Sequence, residues 1–490
     1  MSLSPQERQE LVDALRRDAP RFGAELARTA YQRGLAVTKK EDGSTRPIPV
    51  TATPVILDED ELARRQRLSA LIAGATLKMS RWVLSSDRAD LVLDGLSPLE
   101  RELAGATFAR LSTLVTTRVD YFVGRAVTAL EVNATIPAMQ GYSDIAARSF
   151  LEVVGRTWGA PAEAVSAWSR DIGSNARALY DALLAGYAQV RPGQAPRTIA
   201  LLSRRNDAQL TEQRYLCERF REWGADADVV PPDQLSGDDA VRANGKAYAL
   251  VYRHLFVRRL EEPELAGADY VKRLLAEPNG TRAVVLNPPA SQVEVKAVFA
   301  LLSEALADGA LARAAGLTDD ELAAIAQAVP WTRHFRGAAL LAQVSAAPER
   351  YVLKRSWDYG GRAVFVGRTR HEPGFAERVK AAYGEALPWN EVCARAVVDR
   401  VGGGFVVQEV VETSPETHLL CTETEQRPTE LFVDFSAYAS VGLPGQPAWG
   451  GVCRGSLSHI VNIVGGGGVL PLITTGVARA LLAAHRACAK

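Results

Sequence analysis

A proline- and glycine-bearing stretch, Val190 to Thr198 (VRPGQAPRT), divides the chain into two regimes of hydrophobic patterning. Before it, from Ser4 to about Gln189, Ala/Leu/Arg-rich runs with three-to-four spacing predict a mainly helical region, opening at Ser4-Pro5 as N-cap and first-turn proline. One segment is expected to interrupt it: Arg118 to Asn133 (RVDYFVGRAVTALEVN) alternates polar and apolar residues on both sides of Gly124, the pattern of a short β-hairpin. After the divide, TIALLS, the helix around TEQRYLCERFREWG, ADVV and KAYALVYR alternate as β-α-β units do, which predicts a small parallel-sheet domain over 191–290. Residues 291–490 continue with a helix over Val293 to Leu306 and a helical region to Ala328. RYVLKRSWDYGGRAVFVG, GGGFVVQEVVE and TELFVDFSAYAS then read as strands of a mostly antiparallel sheet, before a closing helix from Gly476 to Cys488. The expected class is α/β in an α+β arrangement of interlocked domains, since 490 residues exceed what one core usually organises.

Charge narrows the range of partners. Lys+Arg and Asp+Glu are both 57, which gives no general attraction to nucleic acid or to an anionic membrane, so any charge-based function must be local. The five cysteines (Cys217, Cys393, Cys421, Cys453 and Cys488) are scattered and never form a CxxC pair, a distribution that suits a reducing compartment. The N-terminus is charged with no apolar leader core, and no stretch reaches the roughly 18 apolar residues of a membrane span. A cytoplasmic location is the expectation.

Three constellations carry chemistry. In the hairpin, Arg118-Val119-Asp120 and Glu131-Val132-Asn133 put Glu131 and Asn133 on one face, and Asp120, Glu131 and Asn133 offer the hard oxygens that Mg²⁺ takes beside substrate phosphates. The same face also reads as an ordinary half-exposed strand. Tyr351 to Gly367 is a strand ending at Lys354, a turn with Asp358, Gly360 and Gly361, and a return strand. Such a turn folds over a triphosphate, or is simply a glycine hairpin. Near the C-terminus, GGVCRGSLSHIVNIVGGGGVLPLI combines Arg454 with four glycines, Gly465 to Gly468, which suits a lid that orders with ligand. No Ser-His-Asp order, GxSxG, HExxH or GxxxxGK[ST] occurs, so hydrolase and P-loop readings are poor.

Taken together, residues of about 118 to 475 resemble the eukaryotic-type glutathione synthetases and bacterial glutathionylspermidine synthetases, circularly permuted ATP-grasp ligases. The resemblance implies ATP and Mg²⁺ as cofactors, with Asp120, Glu131, Asn133 and Asp358 as metal ligands and Arg118 and Arg454 as the catalytic arginines. Asp358 stands where the family has a glutamate, one methylene longer. The resemblance further implies that Lys296, Lys354, Gly360 and Gly361 bind the nucleotide, and that Gln408 and Glu409 sit at the adenine hinge. It implies Asn206 and Gln213, at a separation that departs from the family spacing, as substrate contacts, and Arg253 on a substrate carboxylate.

Where the glutathione-forming enzymes have small hydroxyl residues, this chain has Ile136, Pro137 and Ala138, which disfavours a true glutathione synthetase. Thr135, Gln140 and Tyr142 are the nearby polar residues expected to replace those contacts. The expected activity is amide formation between a carboxylate and an amine through an acyl-phosphate, with small-molecule partners and a homodimer retained as one assembly state. A second reading is a nucleotide-binding regulatory or assembly protein of the same fold that has lost ligation.

Overall fold

A computed structural model describes residues 3–107, 111–124, 126–265, 267–277, 280, 282–358, 360–461 and 467–488. Helix Pro5–Gln32 begins as its sequence demands: Glu7 N–H donates to Ser4 Oγ, and Ser4 N–H donates back to the Glu7 carboxylate at 2.9 Å. Its buried stripe, including Phe22 and Leu26, packs with Phe150 and Leu151 of helix Gln140–Thr157 and with Leu481 of helix Thr475–Cys488. Each such side chain contributes about 1.5–3 kcal/mol of burial. Among the described residues no helix is long and apolar enough to cross a membrane.

The N-terminal half holds more strand than expected. Besides the hairpin, four short strands occupy Ala36–Thr38, Thr45–Pro47, Val50–Thr51 and Val55–Leu57. Two or three residues are too few for a period of two to register, and most of their pairings lie far along the chain. Val50 pairs with Val469, and Thr51 with Leu420.

Three sheets organise the rest. Helix Asn175–Val190 ends at the proline–glycine stretch, and strand Thr198–Leu202 begins a four-stranded parallel sheet. Its order is Val284–Leu286, Leu250–Arg253, Thr198–Leu202, Asp226–Val230, with Leu210–Glu222 as a crossover helix. Both faces of the sheet are covered, and the central strand Leu250–Arg253 is buried along its whole length.

The strands expected to form one antiparallel sheet are divided between two. Tyr351–Arg355 and Phe405–Glu409 join Thr332–His334 and Val364–Val366 in a four-stranded antiparallel sheet. The long strand Gln426–Val441 instead lies in a seven-stranded sheet, between Leu114–Val123 and Gly451–Ser456. The hairpin strand Val127–Asn133 is that sheet's edge.

Part of the glycine run also differs from expectation. Gly465 and Gly466 lie outside the described residues, but Gly468 starts strand Gly468–Leu470 of the large sheet. A Cβ on Gly467 would stand 1.7 Å from the Gly455 carbonyl oxygen, and one on Gly468 2.7 Å from that of Pro49. These two glycines serve close backbone packing rather than a lid.

Candidate active site

The hairpin register decides where the charged residues face. Arg118 pairs with Asn133 and Asp120 with Glu131, so all four project from one face of the sheet. That face looks into a cavity of about 420 Å³, closed on its other side by the four-stranded sheet. Lys354 bridges the two sheets: its Nζ donates to the Leu130 carbonyl at 3.1 Å and to Gln408 Oε1 at 2.7 Å.

At the cavity floor lies a buried network of four charges. Arg118 makes a bidentate pair with Asp120 (2.7 and 2.9 Å), and its third donor reaches the Ala138 carbonyl at 3.0 Å. Arg454 donates to Asp120 at 2.8 Å and grips Asp434 through Nε, Nη2 and its backbone N–H. Burial alone would raise the Asp120 carboxyl, but the Arg118 and Arg454 guanidiniums overcome it and hold Asp120 well below the usual carboxylate range. Asp434 moves the other way, because burial outweighs Arg454 and the neighbouring Asp120 charge adds to it. With two arginines between two carboxylates, the ionised network is the arrangement that leaves no buried charge unmatched.

The expected metal set is divided in this structure. Both Asp120 oxygens are held by guanidiniums, Asp358 faces Arg355 at 3.7 Å, and among the described residues no three His, Cys, Asp or Glu side chains form a metal-holding group. The physical reason is that a buried carboxylate needs a cation, and arginine is the nearest one to Asp120. Glu131 and Asn133 fit the ion better. Both line the cavity, and the Glu131 side chain is 37 % exposed, with Lys296 Nζ at 3.3 Å. One accessible carboxylate and one amide oxygen are the kind of protein donors that Mg²⁺ uses when it arrives with phosphate oxygens.

The two lysines stand beside this hairpin. Lys296 is the first residue of helix Lys296–Ala305, which the Lys296 N–H to Ser356 carbonyl bond (2.8 Å) anchors, and its Nζ donates to the Asp358 carbonyl at 3.0 Å. Burial pushes the Lys354 ammonium down to about 8, against the opposing charge of Glu131. Gly360 and Gly361 have φ of 69° and 71°, left-handed positions that favour glycine, and a Cβ on Gly361 would meet Ile460 Cγ2 at 2.5 Å. At the hinge, Gln408 is buried and donates to Thr332 Oγ1 at 3.1 Å, while the Glu409 carboxylate accepts from Arg350 at 3.0 Å. The N–H groups of Glu409 and Val410 are committed to the Trp331 and Arg350 carbonyls. The expected adenine contact is therefore not offered by either of these two donors.

The three expected substrate residues are not in the cavity wall. Arg253 is 1 % exposed, and its guanidinium is spent on the carbonyls of Leu255, Asn287 and Pro288 at 2.6 to 3.1 Å. Burial lowers it to about 10. Its role is to hold neighbouring backbone together, because a strand end covered on both sides leaves no room for a ligand. Gln213 is wholly buried with no hydrogen-bond partner for its amide among the described residues, and Asn206 donates outward to the Lys40 carbonyl at 3.3 Å. Arg204, Asp207, Gln209 and His254 line the cavity in their place.

Of the residues expected to replace hydroxyl contacts, Tyr142 lines the cavity but donates its hydroxyl to the Ala36 carbonyl at 2.6 Å, while Thr135 and Gln140 are buried outside the wall. Sequence reasoning also missed Asp434 and Glu294. A charged residue inside the apolar run ELFVDFSAYAS is the signal that would have found Asp434. Glu294, half-buried two residues before Lys296, accepts the N–H groups of Ala134 and Thr135 at 3.1 and 2.7 Å, fixing the chain just beyond Asn133.

No family model matches the chain, and no curated protein matches it. Among solved structures it is similar to the apo form of a glutathione synthetase-like effector from Globodera pallida, at 12 % identity and a TM-score of 0.55. That match covers 97 % of this chain and 100 % of the other. The likeness is one of fold. A candidate gamma-glutamylcysteine synthetase from Methylobacillus flagellatus also matches, at 11 % identity over 86 % of this chain and 97 % of the other, but its TM-score of 0.38 carries no argument.

Proposed function

We propose that the chain is an ATP- and Mg²⁺-dependent carboxylate–amine ligase of the circularly permuted ATP-grasp kind. The observation that carries this reading is one cavity between two sheets, lined by Lys296, Lys354, Arg118, Arg454, Glu131 and Asn133. Lys296, Lys354, Arg118 and Arg454 together suit a polyphosphate, and a carboxylate that must accept a phosphoryl group. The whole-chain fold likeness to a glutathione synthetase-like protein supports the same architecture.

On this reading a substrate carboxylate attacks the γ-phosphorus of ATP, ADP leaves, and the resulting acyl-phosphate is attacked by an amine with loss of phosphate and a proton. Arg118 and Arg454 hold the charged oxygens, and their own orientation is set by Asp120 and Asp434 before any substrate arrives. Lys354 and Lys296 neutralise the phosphates. Glu131 and Asn133 would hold Mg²⁺, which supplies further charge neutralisation when bound.

A second reading, nucleotide binding without ligation, is favoured by one observation: Asp120 and Asp358 are both engaged with arginines rather than gathered toward a metal. The two are separated by measuring phosphate release from ATP with pools of acids and amines, with mass spectrometry of the product. Turnover dependent on an acid–amine pair, and a product equal to the two minus water, supports the ligase. Glu131→Gln is expected to abolish turnover while thermal unfolding stays near wild type, because the Glu131–Lys296 pair is partly exposed and contributes about 1 kcal/mol or less. ATP binding with no turnover for any pair selects the second reading.

A further inference from the structure

One end of the cavity differs in chemistry from the rest. It is walled by Val37 of strand Ala36–Thr38, by Ile48 just after strand Thr45–Pro47, and by Ala138 and Met139 from the loop after the hairpin. Strand Ala36–Thr38 is joined to the loop after strand Thr198–Leu202 by Thr38 N–H to the Ala208 carbonyl at 3.0 Å, and to helix Leu210–Glu222 by Thr211 Oγ1 to the Ala36 carbonyl at 2.6 Å. The same wall touches the reaction centre, since Arg118 Nη1 donates to the Ala138 carbonyl at 3.0 Å.

Most polar groups at this end already have partners within the chain, Arg259 pairing with Glu262. His254 Nε2 meets Gln209 Oε1 at 3.0 Å, Arg204 pairs with Asp207 at 3.2 Å, and the Tyr142 hydroxyl is bound to Ala36. Burial lowers His254 to about 4, so at neutral pH it brings no charge to the wall. A ligand with a polar body would lose its water here and find little to replace it, whereas an apolar body gains contact on four aliphatic side chains.

We propose that the acid activated at this site is a monocarboxylic acid with an aliphatic or aromatic body, its carboxylate at Arg118 and its body on Val37, Ile48, Ala138 and Met139. This rests on the ligase reading, which supplies the reason for a carboxylate at Arg118. It goes beyond that reading by naming the class of acid, one without a second charged or amide-rich end.

Hydroxylamine serves as a general amine, so that acid, ATP and Mg²⁺ give a hydroxamate whatever the natural acceptor is. A homologous series of straight-chain, branched and aryl-substituted acids is compared with γ-glutamyl dipeptides and dicarboxylic acids. The expected result is a rise in kcat/KM of about fourfold per added methylene until the cavity is filled, with the peptides and diacids far below. Two variants test the wall. Val37→Thr is isosteric, and Met139→Asn keeps a residue type that tolerates the left-handed backbone found there (φ 88°). Each is expected to flatten the methylene series, with the Val37→Thr enzyme still turning over short acids.

Equal or better efficiency with peptides and diacids overturns the inference, as does a series left unchanged by both variants. If no acid yields hydroxamate or phosphate, the ligase reading fails, and calorimetry of the same acids with the full chain decides this one separately. Apolar acids binding in the same rank order, weakened by Met139→Asn, sustain it; no binding, or a preference for polar acids, refutes it.

Discussion

Replacing Lys354 by methionine separates what the lysine does for the nucleotide from what it costs the fold. Lys354 is 9 % exposed, and its ammonium drops from the ordinary 10.5 to about 8. At about 1.4 kcal/mol per pH unit, keeping it charged in the native state costs about 3 kcal/mol at neutral pH. Below pH 8 the ammonium is charged in both the native and the unfolded chain. Between about 8 and 10.5 the unfolded chain still binds the proton and the native one does not, so native stability from this group rises with pH across that window.

Methionine keeps the aliphatic stem and has no such window. It also leaves the Leu130 carbonyl and Gln408 Oε1 short of a donor, at about 1–3 kcal/mol each, which opposes the relief of burying no charge. Lys354→Met is therefore expected to fold at pH 7 within a few kcal/mol of wild type. Urea unfolding of the two proteins at pH 7 and pH 10 is expected to show the wild type gaining about 2–3 kcal/mol on the variant over that interval. ATP affinity of the wild type should weaken as pH rises through 8, while the variant binds weakly and without that dependence. Parallel stability curves for the two proteins would refute the claim that a charged, buried Lys354 faces the nucleotide.

Other consequences follow from the same geometry. Asp434→Ala leaves the Arg454 guanidinium buried with half its partners and is expected to lower stability by about 3–5 kcal/mol in urea, with Asp434→Asn intermediate. Gly361→Ala places a Cβ 2.5 Å from Ile460 Cγ2 at φ 71°, so ATP affinity measured by calorimetry is expected to fall at least tenfold with little change in unfolding temperature. Glu212, whose carboxylate accepts from Gly141 N–H at 2.9 Å, is pushed by burial up to about 7. The native chain then binds the proton that the unfolded chain releases near pH 4.5, and stability from this group falls as pH rises from there to about 7. Glu212→Gln is expected to remove that loss, about 3 kcal/mol, in unfolding curves at pH 5 and pH 8.

Much of the site was legible wherever a local rule connects residue to position. Residues two apart on a strand share a face, so Arg118 groups with Asp120 and Glu131 with Asn133 on sequence spacing alone, and the strand register sets the two pairs opposite one another. Lys354 and the left-handed Gly360-Gly361 turn were similarly readable, because a strand, a positive-φ turn and a return strand are all local. Arg253 misled for a physical reason. At a strand end, arginine suits a ligand carboxylate and a cluster of backbone carbonyls equally well, and only the approach of residues 286–288 selected the carbonyls. Asp120 combines a local partner, Arg118 two residues away, with Arg454, 334 residues distant, and only the fold supplies the second.

By itself, the sequence determined the elements whose stabilising contacts are close along the chain: the Ser4–Glu7 capping box, the Arg118–Asn133 hairpin, the helix-to-strand connection at Val190–Thr198 and the β-α-β alternation after it. Tertiary structure alone decided which sheet each later strand joined, which glycines were needed for backbone packing, and which charged groups were matched before a ligand arrives. Those outcomes depend on burial. A charge or a polar amide removed from water takes whatever partner the fold brings within about 3 Å, and the identity of that partner is a property of the packed chain rather than of any window of residues.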